Sequence, residues 1–397
     1  MTYDRLWIFK SVPTLIIMVI ITVLFTPSCW TFWLTYTYFT ILLVYTTIKH
    51  LSKFNKKEIP FLLNHIGLLI VLLFGAQSSF KTQSLKMNIN KAYPEFQGVD
   101  KNNYVKELPF TVQLKDFKIE TYPQQKGSNI KKPKQYTSLI NIKGHEGCKT
   151  AIIEVNKPYT YDGWTIYQYS YDMSHGKQNT ESILLFVHDP LLPAVYIGFI
   201  MMLTGALFML IIPLKNIKKT SKNYTVFFII SALLTILFSW FSFYTLNIKT
   251  LMPALRSPWF APHIEVYMCA YALLSTATIM AFILISRKTP SLKILKACDM
   301  LVYAGIAFFT IGMLFGAFWA NEAWGHYWTW DPKETWAAAT WFAYLAYIHY
   351  RRERKDSIKP ALIILICSFL ILQMCWWGVN YLPSTKNMSM HTYNMQK

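Results

Sequence analysis

Nine apolar runs, each near the length that spans a bilayer, govern what this chain can fold into: residues 13–29, 31–48, 60–77, 190–213, 225–246, 264–286, 299–320, 333–350 and 360–382. About 20 largely apolar residues cross the hydrocarbon core as a helix, which satisfies its own backbone hydrogen bonds where no water is available. Hydrophobic residues make up 53% of the chain and charged ones only 15%. The expected fold is therefore an α-helical polytopic membrane protein of about nine transmembrane helices. Arg5 and Lys10 precede the first run as they would in a signal peptide. No small-residue cleavage site follows, and Thr26-Pro27-Ser28-Cys29 is a poor lipoprotein box, so this run reads as a retained helix.

The net charge of +19 is concentrated in the connections. Lys49, Lys53, Lys56 and Lys57, then Lys215, Lys218, Lys219 and Lys222, fall on one side of an alternating nine-helix count. Arg287, Lys288, Lys293 and Lys296, then Arg351, Arg352, Arg354 and Lys355, fall on that same side. The positive-inside rule makes these loops cytoplasmic, with the N-terminus inside and the C-terminus outside. The charge is a topology signal, and nucleic acid is not an expected partner.

Residues 78–189 then lie outside. Phe110–Glu120 alternates apolar and polar residues as a half-buried strand does, and Tyr136–Ile142, Ala151–Val155, Trp164–Tyr169 and Ser182–Val187 are further strand candidates between turn residues. A small extracytoplasmic antiparallel β domain is expected there. Its His145, His175 and His188 show no ligand spacing and read as surface residues. None of the cysteines at 29, 148, 269, 298, 367 and 375 forms a C-x-x-C pair, which argues against a thiol–disulfide enzyme. The absence of a phosphate loop or dinucleotide fingerprint argues against an ATP-driven exporter.

The most specific segment runs from Trp324 to Trp336, W-G-H-Y-W-T-W-D-P-K-E-T-W. A helical turn would put Trp324 and Trp328 on one face. Asp331, Pro332 and Glu334 spell a helix start: a capping carboxylate, proline at the first position and a glutamate reaching back. An interfacial aromatic belt would need no such spacing. Histidines fall at two depths. His65 lies five residues past Pro60, roughly 7–8 Å along a helix rising 1.5 Å per residue, and His349 precedes Arg351 near the same inner face. His263 precedes one span and His391 follows the last, both on the side of the tryptophan loop. An ionisable side chain inside a membrane defaults to a functional hypothesis, against a packing hydrogen bond as the alternative. His326 reads as a hydrogen-bonding or surface residue, and His50 as part of a basic loop.

The loop resembles the tryptophan-rich "WWD" signature of heme-handling proteins in cytochrome c maturation. Pro253–His263 (P-A-L-R-S-P-W-F-A-P-H) and Asn380–Ser384 with His391 downstream resemble the histidine-bearing segments of the CcsA (ResC) family. Val155–Pro190 resembles the end of the external domain of the ResB (CcsB) partner. Together these cover most of the chain as a fused CcsB–CcsA System II cytochrome c synthase. The resemblance implies a ResB-like three-helix region (1–77), a ResB-like β domain (78–189), a connecting helix and cytoplasmic loop (190–224), and a CcsA-like heme-handling domain (225–397) with its tryptophan loop at 321–336. It also implies heme b as substrate and ligand, bound through iron by His65 and His349 in the membrane and by His263 and His391 outside. Trp324, Trp328, Trp330, Asp331 and Trp336 would form the site where heme is joined to the C-x-x-C-H thiols of apocytochrome c. Thiol-reducing maturation proteins and membrane lipid are the other partners implied. A heme-delivery protein without ligase activity and a non-catalytic assembly subunit are the alternatives.

Overall fold

The structure is a computed structural model that describes residues 3–25, 27–52, 54–123, 132–145, 147–172, 181–217, 225–248, 251–287 and 291–382. Among the described residues, nine long helices occupy the apolar runs. They are α1 (Tyr3–Leu24), α2 (Trp30–Leu51), α3 (Ile59–Lys81), α4 (Leu192–Ile217), α5 (Thr225–Ile248), α6 (Phe260–Ile285), α7 (Leu292–Trp324), α8 (Pro332–Glu353) and α9 (Ile358–Trp376). Five of them, α3, α4, α6, α7 and α9, are long and apolar enough to cross a membrane by length and composition. The chain is a multi-pass membrane protein. Helix α8 is less apolar for a physical reason. It is surrounded by protein, burying Ala337–Thr340 and most residues on to Ile348, and small residues let neighbouring helices approach closely.

The two halves of the chain share one helical core. Val12, Leu15 and Met18 of α1 and Phe39 of α2 pack in the same buried cluster as Phe342, Tyr344 and Tyr347 of α8 and Leu362, Leu365 and Leu372 of α9. Ser11 on α1 donates to Glu353 Oε1 at the end of α8, 2.6 Å away.

Between α3 and α4 sits an eight-stranded antiparallel sheet: β1 (Gln83–Ile89), β2 (Glu95–Val99), β3 (Val105–Thr121), β4 (Pro133–Gly144), β5 (Gly147–Glu154), β6 (Tyr159–Tyr161), β7 (Trp164–Asp172) and β8 (Glu181–His188). The spatial order is β5-β4-β3-β2-β1-β8-β7-β6. Every expected strand is present, and β1, β2 and β6 are additional. β1 alternates exposed and buried residues but is only seven residues long and mostly polar, which hides it among turn residues. The sheet curls in a barrel-like way around Leu85, Phe110, Ile140, Ile166, Leu184 and Phe186. Inside it, Ser138 of β4 donates to Gln168 of β7 at 2.6 Å and bonds Ser182 of β8 at 2.7 Å, joining distant strands through a buried polar network.

The β domain grows directly out of a helix pair. Gln83 of β1 faces His188 of β8 in register, so the domain's two ends meet where α3 ends and α4 begins. Those helices touch at glycines: a Cβ on Gly67 would come within 2.9 Å of the Gly198 carbonyl, and one on Gly198 within 2.7 Å of Val71. Overpacking of this kind costs about 1–3 kcal/mol. Gly198→Leu is therefore expected to lower the thermal midpoint of the detergent-solubilised protein by several degrees, whereas Leu207→Ala on the exposed face of α4 should leave it near wild type. Equal midpoints for the two variants would show that the glycine contact does not hold the pair together.

Candidate functional site

Helix α7 ends at Trp324 because Gly325 turns the chain left-handed (φ 78°), its N–H donating back to the Asn321 carbonyl at 3.0 Å. This is the usual geometry of a glycine after a helix C-terminus. The same glycine is required for a second reason: a Cβ there would lie 2.9 Å from Val187 and 3.1 Å from Tyr167 of the β domain. The tryptophan loop thus lies against the sheet. Burial, with Tyr196 beside it, raises the Tyr167 phenol above its ordinary range, so this contact stays uncharged.

The expected capping box is present in full. Glu334 N–H donates to Asp331 Oδ1 at 2.8 Å, and Glu334 Oε2 accepts from the Asp331 N–H at 3.3 Å. Glu334 does more than a capping glutamate needs to. The same oxygen accepts the Thr329 N–H at 2.7 Å and the Thr329 hydroxyl at 3.3 Å. Trp330 between them has φ 60°, a strained conformation for a bulky side chain. It is held by Thr335 Oγ1 donating to its carbonyl at 3.1 Å and by edge-on ring contacts with Phe32 (5.0 Å) and Trp328 (5.6 Å).

The helix stop at Gly325 corrects one expectation. Trp324 and Trp328 do not share a helical face; they point to different neighbours. Trp324 packs on Trp319 (centroids 4.9 Å apart), and Trp319 lies 5.9 Å from His263. Trp328 and Trp330 instead line a cavity of about 540 Å³, walled by Phe32, Trp33 and Tyr36 of α2, Leu68–Gly75 positions of α3, Trp341 and Phe342 of α8, and Tyr167 and Val187 of the sheet. His326 and Tyr327 also line it, whereas Trp324, Asp331 and Trp336 do not. Trp336 lies one turn into α8, and no ring contact joins it to the other three tryptophans among the described residues. The buried Trp328 indole N–H has no hydrogen-bond partner in the cavity wall.

The histidines share one chemical feature. His65 Nδ1 lies 2.9 Å from the Phe61 carbonyl, His349 Nδ1 2.8 Å from the Leu345 carbonyl, and His263 Nδ1 2.8 Å from the Gly312 carbonyl. A carbonyl only accepts, so each Nδ1 carries a proton, and when the ring is neutral its lone pair is on Nε2. Backbone carbonyls orient metal-binding imidazoles in this way. The His65 and His349 ring centroids are 6.5 Å apart; two imidazoles bonded on opposite sides of one metal at about 2 Å each have ring centres roughly 6 Å apart. His65 is six residues into α3 and His349 four residues before the end of α8, both at the end of the bundle remote from the sheet. His263, in the first turn of α6, is at the sheet end, because Asn156 of the β domain donates to the nearby Pro253 carbonyl at 2.8 Å. His391 lies outside the described residues. His145 and His188 belong to the β domain; His188 Nδ1 donates to the Gly163 carbonyl at 2.8 Å, and His175 lies outside the described residues.

Two positioning residues escaped the sequence reading. Glu322 on α7 accepts the Trp259 indole N–H at 2.7 Å and the Ser257 hydroxyl at 3.4 Å, and so holds the segment leading into His263. Its signal was a lone carboxylate at the end of an apolar run. Phe61, one turn before His65, stacks on its ring at 3.7 Å; nothing in a phenylalanine at a helix start announces that.

Fold and site together define a polytopic membrane protein that places orientation-fixed imidazoles at both ends of a helical bundle, with an aromatic cavity between two halves. Residues 199–386 match the cytochrome C assembly protein family, and residues 55–187 match the ResB-like family. The chain thus joins a ResB-like segment and a cytochrome C assembly segment in one polypeptide. Among relatives named cytochrome c biogenesis protein CcsA, it is 34% identical over 184 residues to that of Prochlorococcus marinus (36% of this chain, 57% of the relative). It is 40% identical over 155 residues to that of Chlamydomonas reinhardtii (36% and 42%), and 47% identical over 89 residues to that of Daucus carota (22% and 26%). The chain therefore spans between 26% and 57% of the length of these relatives.

The loop's dependence on one carboxylate is testable. Glu334→Ala leaves buried N–H donors without an acceptor, at about 1–3 kcal/mol. Faster protease cleavage within 325–331 is expected than in wild type, with Glu334→Gln, which keeps one acceptor oxygen, in between. Wild-type cleavage rates in both variants would show that the loop is held by ring packing instead.

Proposed function

We propose that this chain works in cytochrome c biogenesis as a heme lyase of the cytoplasmic membrane. The observation that carries this reading is the set of imidazoles whose Nδ1–H groups are tied to carbonyls, two of them, on α3 and α8, with ring centroids 6.5 Å apart. Six-coordinate heme iron takes two such ligands from opposite faces, best supplied by separate elements. Heme b is the substrate. It binds first between His65 and His349, passes toward the sheet end along the helices that also wall the aromatic cavity, and is held there by His263 and His391. Aromatic rings shield a flat apolar plate from water. Trp324, Trp328, Trp330 and Trp336 are the rings assigned to this task, with Asp331 capping the helix behind them.

The second substrate is an apocytochrome segment with C-x-x-C-H. Its histidine replaces one outer ligand. Each cysteine S–H then adds across one heme vinyl C=C, so that sulfur and hydrogen end on the two vinyl carbons and no net oxidant or reductant is consumed. The protein contributes orientation and exclusion of water rather than a nucleophile. Thiol-reducing maturation proteins keep the cysteines available, and lipid surrounds the helices.

All nine helices cross the bilayer in this reading, with the N-terminus inside and the β domain, tryptophan loop and C-terminus outside. The units are 1–77, 78–189, 190–224 and 225–397. Reporter fusions at Lys219 and Arg354 are expected to score cytoplasmic and one at Gly127 external; an external signal at Arg354 would overturn the orientation of the last helices.

Protein purified in detergent from heme-replete cells is expected to show a low-spin bis-histidine b-type spectrum. Absence of a Soret band would remove the heme reading and favour a non-catalytic assembly subunit. His263→Ala and His391→Ala should regain much of the spectrum and part of the cytochrome c yield with excess imidazole, which fills a vacant axial position. His65→Ala and His349→Ala should regain less, because the missing step comes earlier. Normal yield from His65→Ala without imidazole would exclude the two-site route.

A further inference from the structure

The inner histidine pair has a cation beside it that the fold does not use. Arg352 follows His349 by three residues on α8, so it projects from the same face less than one turn nearer the helix end. It lies in electrostatic range of His65 and His349, and also of Tyr303 on α7. The neighbouring arginine is differently employed: Arg351 grips Asp299 with Nε at 3.1 Å and Nη2 at 3.0 Å, and Asp299 also accepts the Tyr347 hydroxyl at 2.7 Å. The carboxylate next in sequence, Glu353, is engaged by Ser11 at 2.6 Å. No ion pair or hydrogen bond to Arg352 is present among the described residues, and its side chain is exposed at the inner end. At the end of α2, His50 Nδ1 lies 2.9 Å from Glu58 Oε2 and its ring packs on Phe61 at 4.0 Å, so that carboxylate already has a partner within the protein.

An exposed arginine is usually just solvated. This one stands beside two imidazoles whose lone pairs are set for iron, and the ligand they would share carries two carboxylates on one edge. Guanidinium is the side chain best matched to a carboxylate, through paired N–H donors. We infer that Arg352 anchors a propionate of the heme held by His65 and His349, fixing which edge of the macrocycle faces the inner rim. This rests on the inner heme site proposed above.

The test is a Soret titration of the purified full chain carrying His263→Ala, which removes an outer ligand, with hemin and with hemin dimethyl ester, whose carboxylates are blocked. Arg352→Gln is expected to weaken hemin binding about tenfold or more and to leave ester binding unchanged, with Arg352→Lys in between for hemin. His65→Ala should lose both ligands. Equal weakening of hemin and ester by Arg352→Gln, or no change in either, would overturn the anchor while leaving the histidine site standing. Ester binding that survives also shows that the variant is folded. Failure of the parent chain to bind either porphyrin would overturn the inner site itself.

Discussion

A single buried carboxylate organises the end of the molecule where the tryptophans gather. Glu334 accepts two backbone N–H groups and a hydroxyl from the preceding five residues, and it does so from the first turn of α8, where the helix dipole favours negative charge. These bonds hold Trp330 in a backbone conformation it would otherwise avoid and direct its ring at Phe32 of α2. Because α2 belongs to the N-terminal half, the loop becomes part of the contact between halves. Trp330 and Phe32 both line the aromatic cavity beside that contact.

The same joining of halves brings His65 and His349 together at the other end of the bundle. His65 comes from α3 and His349 from α8, and their ring centroids lie 6.5 Å apart. Helix α1 packs against α8 through the shared core, so the distance between the two imidazoles is set by packing that spans most of the sequence. The segment that matches the cytochrome C assembly family carries one imidazole of the pair; the ResB-like segment supplies the other, along with the α3 wall of the cavity, while the α2 wall comes from the residues before it.

What was legible in the sequence was local. Asp331-Pro332-Lys333-Glu334 announced a capping box because its geometry closes within four residues. The helices were legible from apolar length, and the depth match of His65 and His349 followed from helix rise and alternating topology. The aim of individual rings was not legible. Trp324 and Trp328 have helical spacing, but Gly325 ends the helix between them and sends one toward Trp319 and the other into the cavity. Phe32 and Tyr36 reach that cavity from nearly 300 positions earlier in the chain, a relation no spacing encodes. The strands β1, β2 and β6 were missed because short polar strands are stabilised by their neighbours rather than by their own composition.

The way the sheet joins the membrane helices has a mechanical meaning. Thr82 is the only residue between the end of α3 and the start of β1, and Gln83 pairs at once with His188, which three residues separate from the start of α4 at Leu192. No slack connects the β domain to the bundle. Sliding α3 past α4 by a single turn, about 5.4 Å, would tear the β1–β8 ladder or shift it by an odd or even number of residues, and an odd shift would turn the sheet's buried side chains outward. The sheet therefore acts as a clamp on the depth of α3, and with it on the depth of His65. A domain that looks like an appendage at one end of the bundle thereby sets the position of an imidazole at the far end of the same helix.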